Sequence, residues 1–180
     1  DADNSTAFEG VDHFVHAGFH HLPGRYRGGE GDDPETFRRI NLAGSANLFA
    51  VARKAGVRRC VFLSSRAVYD GLTAGKPLVE DADLAPTSLY GEIKLRGEQA
   101  LAALCTSTFC GASLRLTGVY GDLRPNKWDG LITDYIAGRS VDSRAGTEVH
   151  GTDVGQALRL MLEVDQARIS GQVFNVSDIV

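Results

Sequence analysis

Hydrophobic and polar positions along the chain follow two alternating rhythms. Short apolar runs rich in β-branched or aromatic residues are separated by longer stretches whose apolar positions recur every three or four residues, the pattern of β-α-β units around a parallel sheet. Four runs predict strands: Val11 to His16, Arg59 to Ser64, Ala112 to Val119 and Gln172 to Val176. Phe37, Ile40, Gly44, Leu48, Val51 and Ala55 share one face of a predicted helix that Asp33 and Pro34 open and Gly56 closes. A second helix is predicted from its cap at Ser88 to Leu104, with Leu89, Ile93, Gly97, Ala100 and Leu101 on one stripe. A third runs from Thr152 to Val164 around Val154, Ala157, Leu158, Met161 and Leu162, and a shorter one covers Leu131 to Ile136. Two long connections, Leu22 to Asp33 and Asp70 to Thr87, are loops of the kind that bind ligands at the C-terminal ends of open α/β sheets.

Composition narrows the classes that remain. At 180 residues and 43% hydrophobic content the chain can bury a core, which excludes disorder. Lys and Arg sum to 19 against 23 Asp plus Glu, a net charge of −4, so nucleic acid is not an expected partner. The longest apolar runs, such as Cys60 to Leu63, are too short for a membrane span, and DADNSTAFEG lacks a signal-peptide layout; no membrane is expected. Cys60, Cys105 and Cys110 are odd in number and form no C-x-x-C pair, which points to a reduced, cytoplasmic setting. His13, His16, His20 and His21 have no acidic or cysteine partner at ligand spacing, so no metal is expected. His150 reads as a hydrogen-bonding residue ahead of a helix, and Trp128 as a partly exposed side chain or a pocket wall.

Tyr90 and Lys94 stand four residues apart on one helix face, where a phenol and an ammonium reach the same spot. A tyrosine titrates near 10, so acid or base work at neutral pH calls for a positive charge that favours phenolate. Pairs at this spacing are also common surface features. Upstream, a buried-type strand ends in Ser64 and Ser65, whose hydroxyls face the expected ligand crevice, and an earlier strand ends in Ala17 and Gly18, which admit a ligand close to the backbone.

With these elements in this order, the chain resembles the extended short-chain dehydrogenase/reductase superfamily, in its NAD-dependent epimerase/dehydratase branch. The likeness is carried by VDHFVHAG, by the block NLAGSANLFAVARKAGVRRCVFLSSRAVYD, by Tyr90 and Lys94 as Y-x-x-x-K, and by LRLTGVYG, TEVHGTDVGQAL and GQVFNVSD. It implies an α/β fold: a Rossmann-type doubly wound parallel sheet, incomplete at its N-terminus, with a small substrate-binding lobe. The expected organisation is a Rossmann-like core over 1–120, part of the lobe over 121–151, and a helix and strand returning to the core over 152–180. The resemblance makes Tyr90 the acid/base, gives Lys94 the nicotinamide ribose and the biasing of Tyr90 toward phenolate, and gives Ser65 the reacting oxygen. Ala17, Gly18, Phe19, Asn41, Ser64, Leu116 and Val119 match positions that flank the dinucleotide, while Ser65, Arg66, Thr117, Gly118 and Arg144 are the expected substrate contacts. The implied reaction is hydride transfer between a secondary alcohol carbon and NAD or NADP.

The chain departs from that pattern in three places. No strand followed by G-x-x-G-x-x-G is present, and GRYRGGEG from Gly24 to Gly31 does not replace it, because it follows a loop and leads into Asp32 and Asp33. The expectation is therefore a chain that begins inside the third β-α unit, is cut after its last strand, and binds dinucleotide weakly as it stands. Gly118 and Gly146 stand where nucleotide-sugar members carry Asn and Arg, with Arg144 as a possible substitute, so a simple sugar, a sugar acid or another secondary alcohol is as open as a nucleotide sugar. Arg66 and Ala67 replace the acidic pair of sugar 4,6-dehydratases. A homodimer formed by the two longer helices is expected. The rival readings are a non-catalytic nicotinamide-binding sensor or scaffold, and a truncated inactive homologue.

Overall fold

The computed structural model describes residues 4–22, 29–73, 75, 77–122, 128–143 and 146–178. Six strands form: β1 (His13–His16), β2 (Arg59–Ser65), β3 (Cys110–Leu116), β4 (Gly118–Tyr120), β5 (Glu148–His150) and β6 (Val173–Val176). Parallel pairing arranges four of them in the order β1-β2-β3-β6. β4 and β5 make a separate parallel pair. The helices are α1 (Pro34–Arg38), α2 (Gly44–Lys54), α3 (Leu89–Ala103), α4 (Asp129–Ile136) and α5 (Gly151–Glu163).

Several boundaries differ from the sequence expectation by a residue or two, and three of the differences have a local reason. Val11 and Asp12 stay outside β1, where Asp12 O accepts from Arg58 N at 2.8 Å and Arg59 N at 3.2 Å. The expected strand from Ala112 to Val119 is two strands, because the chain changes partner at Thr117. Thr117 N donates to Val176 O at 3.2 Å, whereas Gly118 N turns to Thr147 O at 3.4 Å. The helix expected from Asp33 onward is interrupted by a π turn over Arg39–Ala43. Within it Asn41 Nδ2 donates to Phe37 O at 3.1 Å and Ser45 Oγ donates to Asn41 O at 2.5 Å. A π turn shifts the side chains it carries relative to a regular helix, and this one turns Asn41 onto the loop after β1.

The helix starts follow the sequence closely. Asp33 Oδ1 accepts from Thr36 N at 2.9 Å with Pro34 in the first turn, and Ser88 Oγ accepts from Gly91 N at 3.1 Å. Asp70 fixes the return of the long connection into α3, accepting from Thr87 N at 2.6 Å, from Ser88 N at 3.2 Å and from the hydroxyl of Ser88. His150 caps α5, its Nδ1 accepting from Thr152 N at 3.2 Å.

The pleat of β2 divides the core. Cys60 and Phe62 face Phe49, Ala52, Leu101 and Phe109 on the α2/α3 side, while Val61 joins Leu114, Val149, Met161 and Ile169 on the α5 side. Cys60 is fully buried and acts as a small hydrophobe. α3 lies close against the sheet because two of its positions lack a side chain. A Cβ at Gly97 would stand 2.9 Å from the Phe62 ring, and one at Gly91 would stand 2.4 Å from Ala67 O.

Candidate functional site

β2 ends at Ser65, and the chain turns at once into a 3-10 turn over Arg66–Tyr69 that Ser65 caps, its Oγ accepting from Ala67 N at 3.2 Å. This sharp exit leaves the Ser65 hydroxyl at the C-terminal end of the sheet, where the first turn of α3 delivers Tyr90. The Ser65 hydroxyl comes close enough to act on the proton affinity of the Tyr90 phenol. Lys94 follows one turn later and reaches back to β2, donating from Nζ to Leu63 O at 2.7 Å. Ser65, Tyr90 and Lys94 thus converge on the end of one strand.

The electrostatics of the three are set by burial. The Tyr90 phenol is pushed above its ordinary value by desolvation, partly offset by the neighbouring Ser65 hydroxyl. The Lys94 ammonium stands over the Tyr90 ring, 5.8 Å from the centroid. Lys94 itself is 4% exposed and lowered to about 8 by desolvation, with the Glu98 carboxylate opposing the shift. Its Nζ lies between two rings, 4.6 Å from Phe19 and 4.8 Å from Phe62.

The loop after β1 forms the opposite wall. Ala17 and Gly18 are exposed, and Phe19 folds its ring onto Tyr90 with centroids 5.0 Å apart. Asn41 holds this loop by both ends of its amide, accepting from His20 N at 2.7 Å and donating to His20 O at 2.8 Å. Between the loop and α2 opens a cleft of about 260 Å³ lined by His16, Gly18, Phe19, Asn41 and Ser45. His16 Nε2 meets Ser45 Oγ at 2.8 Å. Because the Ser45 proton goes to Asn41 O, Nε2 carries the imidazole proton and Nδ1 is left as acceptor. Burial, with Lys94 adding to it, lowers the His16 imidazole and keeps it neutral.

The other predicted positions divide. Ser64 is buried and its hydroxyl donates to Glu98, so toward a cofactor it offers an oxygen or its backbone but no donated hydrogen. Leu116 is buried, Val119 is 43% exposed, and Gly118 follows Thr117, whose hydroxyl donates to Val176 O at 3.4 Å. Arg66 is exposed next to Ser65. Arg144 lies outside the described residues, as does most of the Gly24 to Gly31 stretch. Among the described residues no group of His, Cys, Asp and Glu is placed to hold a metal ion, and no helix is long and apolar enough to cross a membrane.

Residue spacing alone missed a buried polar network behind the site. Arg115 in β3 clamps Glu98 of α3 through Nε and Nη2 and donates from Nη1 to Tyr69 Oη at 2.6 Å. Tyr69 donates on to Asn175 Oδ1 of β6 at 2.9 Å. The available signal was Glu98 itself, which continues the four-residue spacing of Tyr90 and Lys94 beside the apolar stripe of the helix.

These residues fit one half of a dinucleotide. Tyr90 and Lys94 are the groups that could hold a diol, and the cleft beside Gly18, where an added Cβ would meet His16 at 3.6 Å, leaves room for a ring. Among the described residues no strand runs directly through a G-x-x-G-x-x-G turn into a helix, the arrangement that receives a pyrophosphate.

Comparison with known proteins accounts for this arrangement. The model of the "NAD dependent epimerase/dehydratase family" matches residues 3–177. UDP-glucose 4-epimerase of Bacillus subtilis is 39% identical over 74 residues, 41% of this chain and 22% of its own length. The Vibrio cholerae enzyme of the same name is 37% identical over 87 residues, 47% of this chain and 26% of its own. Methionine adenosyltransferase 2 subunit beta of Xenopus laevis is 36% identical over 90 residues, covering 50% and 25% of the two chains. Among solved structures, MoeE5 in complex with UDP-glucose and NAD superposes with a TM-score of 0.78 at 28% identity, over 96% of this chain and 58% of MoeE5. WbmG of Bordetella bronchiseptica in complex with NAD gives 0.76 at 27% identity, over 96% and 53%. The chain therefore spans little more than half of these solved relatives, and its matched stretches cover about a quarter of the curated ones. On the match of its fold and of nearly its whole length, the chain belongs to the NAD-dependent epimerase/dehydratase family.

Proposed function

We propose that this chain is part of an NAD-dependent oxidoreductase or epimerase acting at a secondary alcohol carbon of a sugar-like substrate, with Ser65, Tyr90 and Lys94 as its catalytic residues. The convergence of these three side chains on the C-terminal end of β2 carries the reading. Tyr90 and Lys94 would hold the nicotinamide ribose, and Gly18, Phe19 and Asn41 would flank the dinucleotide. Bound oxidised nicotinamide supplies a hydride acceptor and a positive charge.

The residues then divide the proton work. Because burial keeps the Tyr90 proton in place, the phenol is ready to donate to a carbonyl oxygen. In the reverse direction it must first be a phenolate, a state favoured by each positive charge brought beside it. Ser65 supports the same oxygen with its hydroxyl, which the capping bond from Ala67 N holds at the end of the strand. Phe19 and Phe62 shield the Lys94 ammonium from water. Arg66, Thr117 and Gly118 are the substrate side of the cleft in this reading.

The test is an assay of the full-length protein with NAD and with NADP against UDP- and dTDP-sugars, simple sugars and sugar acids. Hydride transfer or epimer formation is expected, and Tyr90→Phe should lower kcat by roughly 10²- to 10⁴-fold while leaving dinucleotide binding largely intact. Unchanged turnover in Tyr90→Phe would overturn the assignment. The relative named as a subunit of methionine adenosyltransferase keeps a second reading open, a nicotinamide-binding subunit without turnover. Binding of NAD with no product from the panel selects that one. We further propose a homodimer in a cytoplasmic setting, which the same preparation tests by sedimentation.

A further inference from the structure

Lys94 and Glu98 lie one turn apart on α3, and consecutive residues of β2 hold them both. Leu63 O accepts from Lys94 Nζ at 2.7 Å, and Ser64 gives its hydroxyl proton to Glu98. Arg115 prevents the carboxylate from turning freely. Its Nε donates to the two oxygens at 3.1 and 3.2 Å, and its Nη2 donates to Oε2 at 2.8 Å. Arg115 is fixed in turn by Tyr69 Oη at 2.6 Å and Glu80 O at 3.1 Å. Lys94, Glu98 and Arg115 are each 4% exposed.

A buried ion pair of this kind is a weak source of stability, since the desolvation of two ions offsets their attraction. What it does supply is an oriented dipole whose negative end is carried on the same helix one turn after Lys94. Tyr90 on the same helix, which holds its proton, also faces Lys94, as does His16 from β1, a neutral imidazole whose proton affinity the Lys94 charge helps to lower. Glu92, half a turn before Lys94 on the outer side of α3, is engaged by Arg38 at 2.9 Å and Arg96 at 3.2 Å. Rings of Phe19 and Phe62 fill the remaining surroundings.

We propose that Glu98 is a positioning residue for the proposed reaction: held by Arg115 and Ser64, its carboxylate keeps the Lys94 ammonium charged inside a water-poor, ring-lined site. This rests on the placing of Lys94 in the site, and it adds the group that makes a buried lysine usable there as a cation. Without Glu98 the ammonium would face only a carbonyl dipole, ring faces and a neighbouring imidazole, with the Arg115 charge left unbalanced behind it.

The test is a direct titration of Lys94 in the intact protein by carbon-13 NMR of its methylated amine, assigned with Lys94→Arg, in the absence of cofactor and substrate. In Glu98→Gln the midpoint should fall from about 8 by about one unit or more. Since Arg115 is then unpaired, the double variant Glu98→Gln/Arg115→Met serves where the single one does not fold, and it should show a fall in the same direction. An unchanged midpoint in either folded variant overturns the proposal. No turnover enters the measurement, so it fails separately from the assignment of the reaction. In the assay of the full-length protein the pH profile of kcat should shift downward with the midpoint, a change that loosened packing alone would not produce.

Discussion

Lys94 is the residue at which the needs of the site and of the fold conflict. An ordinary lysine titrates near 10.4, whereas burial brings this one to about 8, so the unfolded chain binds its proton more tightly than the folded one. Stability therefore rises with pH between about 8 and 10.4, the reverse of a salt-bridged lysine. Relative to Lys94→Met, which has nothing to titrate there, the native chain should gain roughly 1 kcal/mol per pH unit in that window. Urea denaturation of both at pH 7, 8 and 9 checks this, and a constant difference would show that Lys94 is charged throughout. Cys60, whose thiol burial pushes upward, is common to both chains and cancels in the comparison. Tyr90 and Lys94 were legible in the sequence because acid/base work needs those residue types at helical spacing. The surroundings that set their proton affinities were not legible. Phe19 and Phe62 reach Lys94 from the loop after β1 and from β2, and Arg115 reaches Glu98 from β3; no local pattern joins these three, and only Glu98 continues the four-residue spacing on α3.

At the level of the element, α3 fixes the geometry of the site through how closely it approaches the sheet. Gly91 follows Tyr90 immediately and lies against the backbone of the 3-10 turn, so Gly91→Ala forces α3 or the turn to move. In a free helix that change would stabilise by up to about 1 kcal/mol. Here it should destabilise by roughly 1–3 kcal/mol, the range of overpacking, and a thermal melt gives the sign directly. The strands and helices were readable because their periods are set by burial on one face, and the caps at Asp33, Ser88 and His150 because orphan amides need an oxygen or ring nitrogen ahead of them. The π turn at Arg39–Ala43 left no such trace, since its hydrophobic spacing is continuous with the helices on either side. β5 was missed for a different reason: three residues paired to three are too few to show a period of two.

For the molecule as a whole, the two cores share the sheet. Val61 belongs to one and its neighbours Cys60 and Phe62 to the other, so neither face can lose its packing without releasing β2. Leu114→Ala on the α5 side and Leu101→Ala on the α3 side should each cost about 2–5 kcal/mol and lower the midpoint of one common transition. Circular dichroism together with hydrogen exchange on each face tests this; two separate transitions would mean that the faces unfold independently. The spacing of four from Tyr90 to Lys94 to Glu98 has a further consequence for how such a chain can change over generations. One residue inserted between Tyr90 and Lys94 would rotate everything beyond it by about 100° about the helix axis, swinging Lys94 and Glu98 off Leu63 and Ser64 together. Replacement of residues on the outer face of α3 leaves that alignment alone. The helix can therefore vary freely in identity where it meets solvent and hardly at all in length, while the connection ahead of it, anchored at its end by Asp70, can change length only where Glu80 keeps its hold on Arg115.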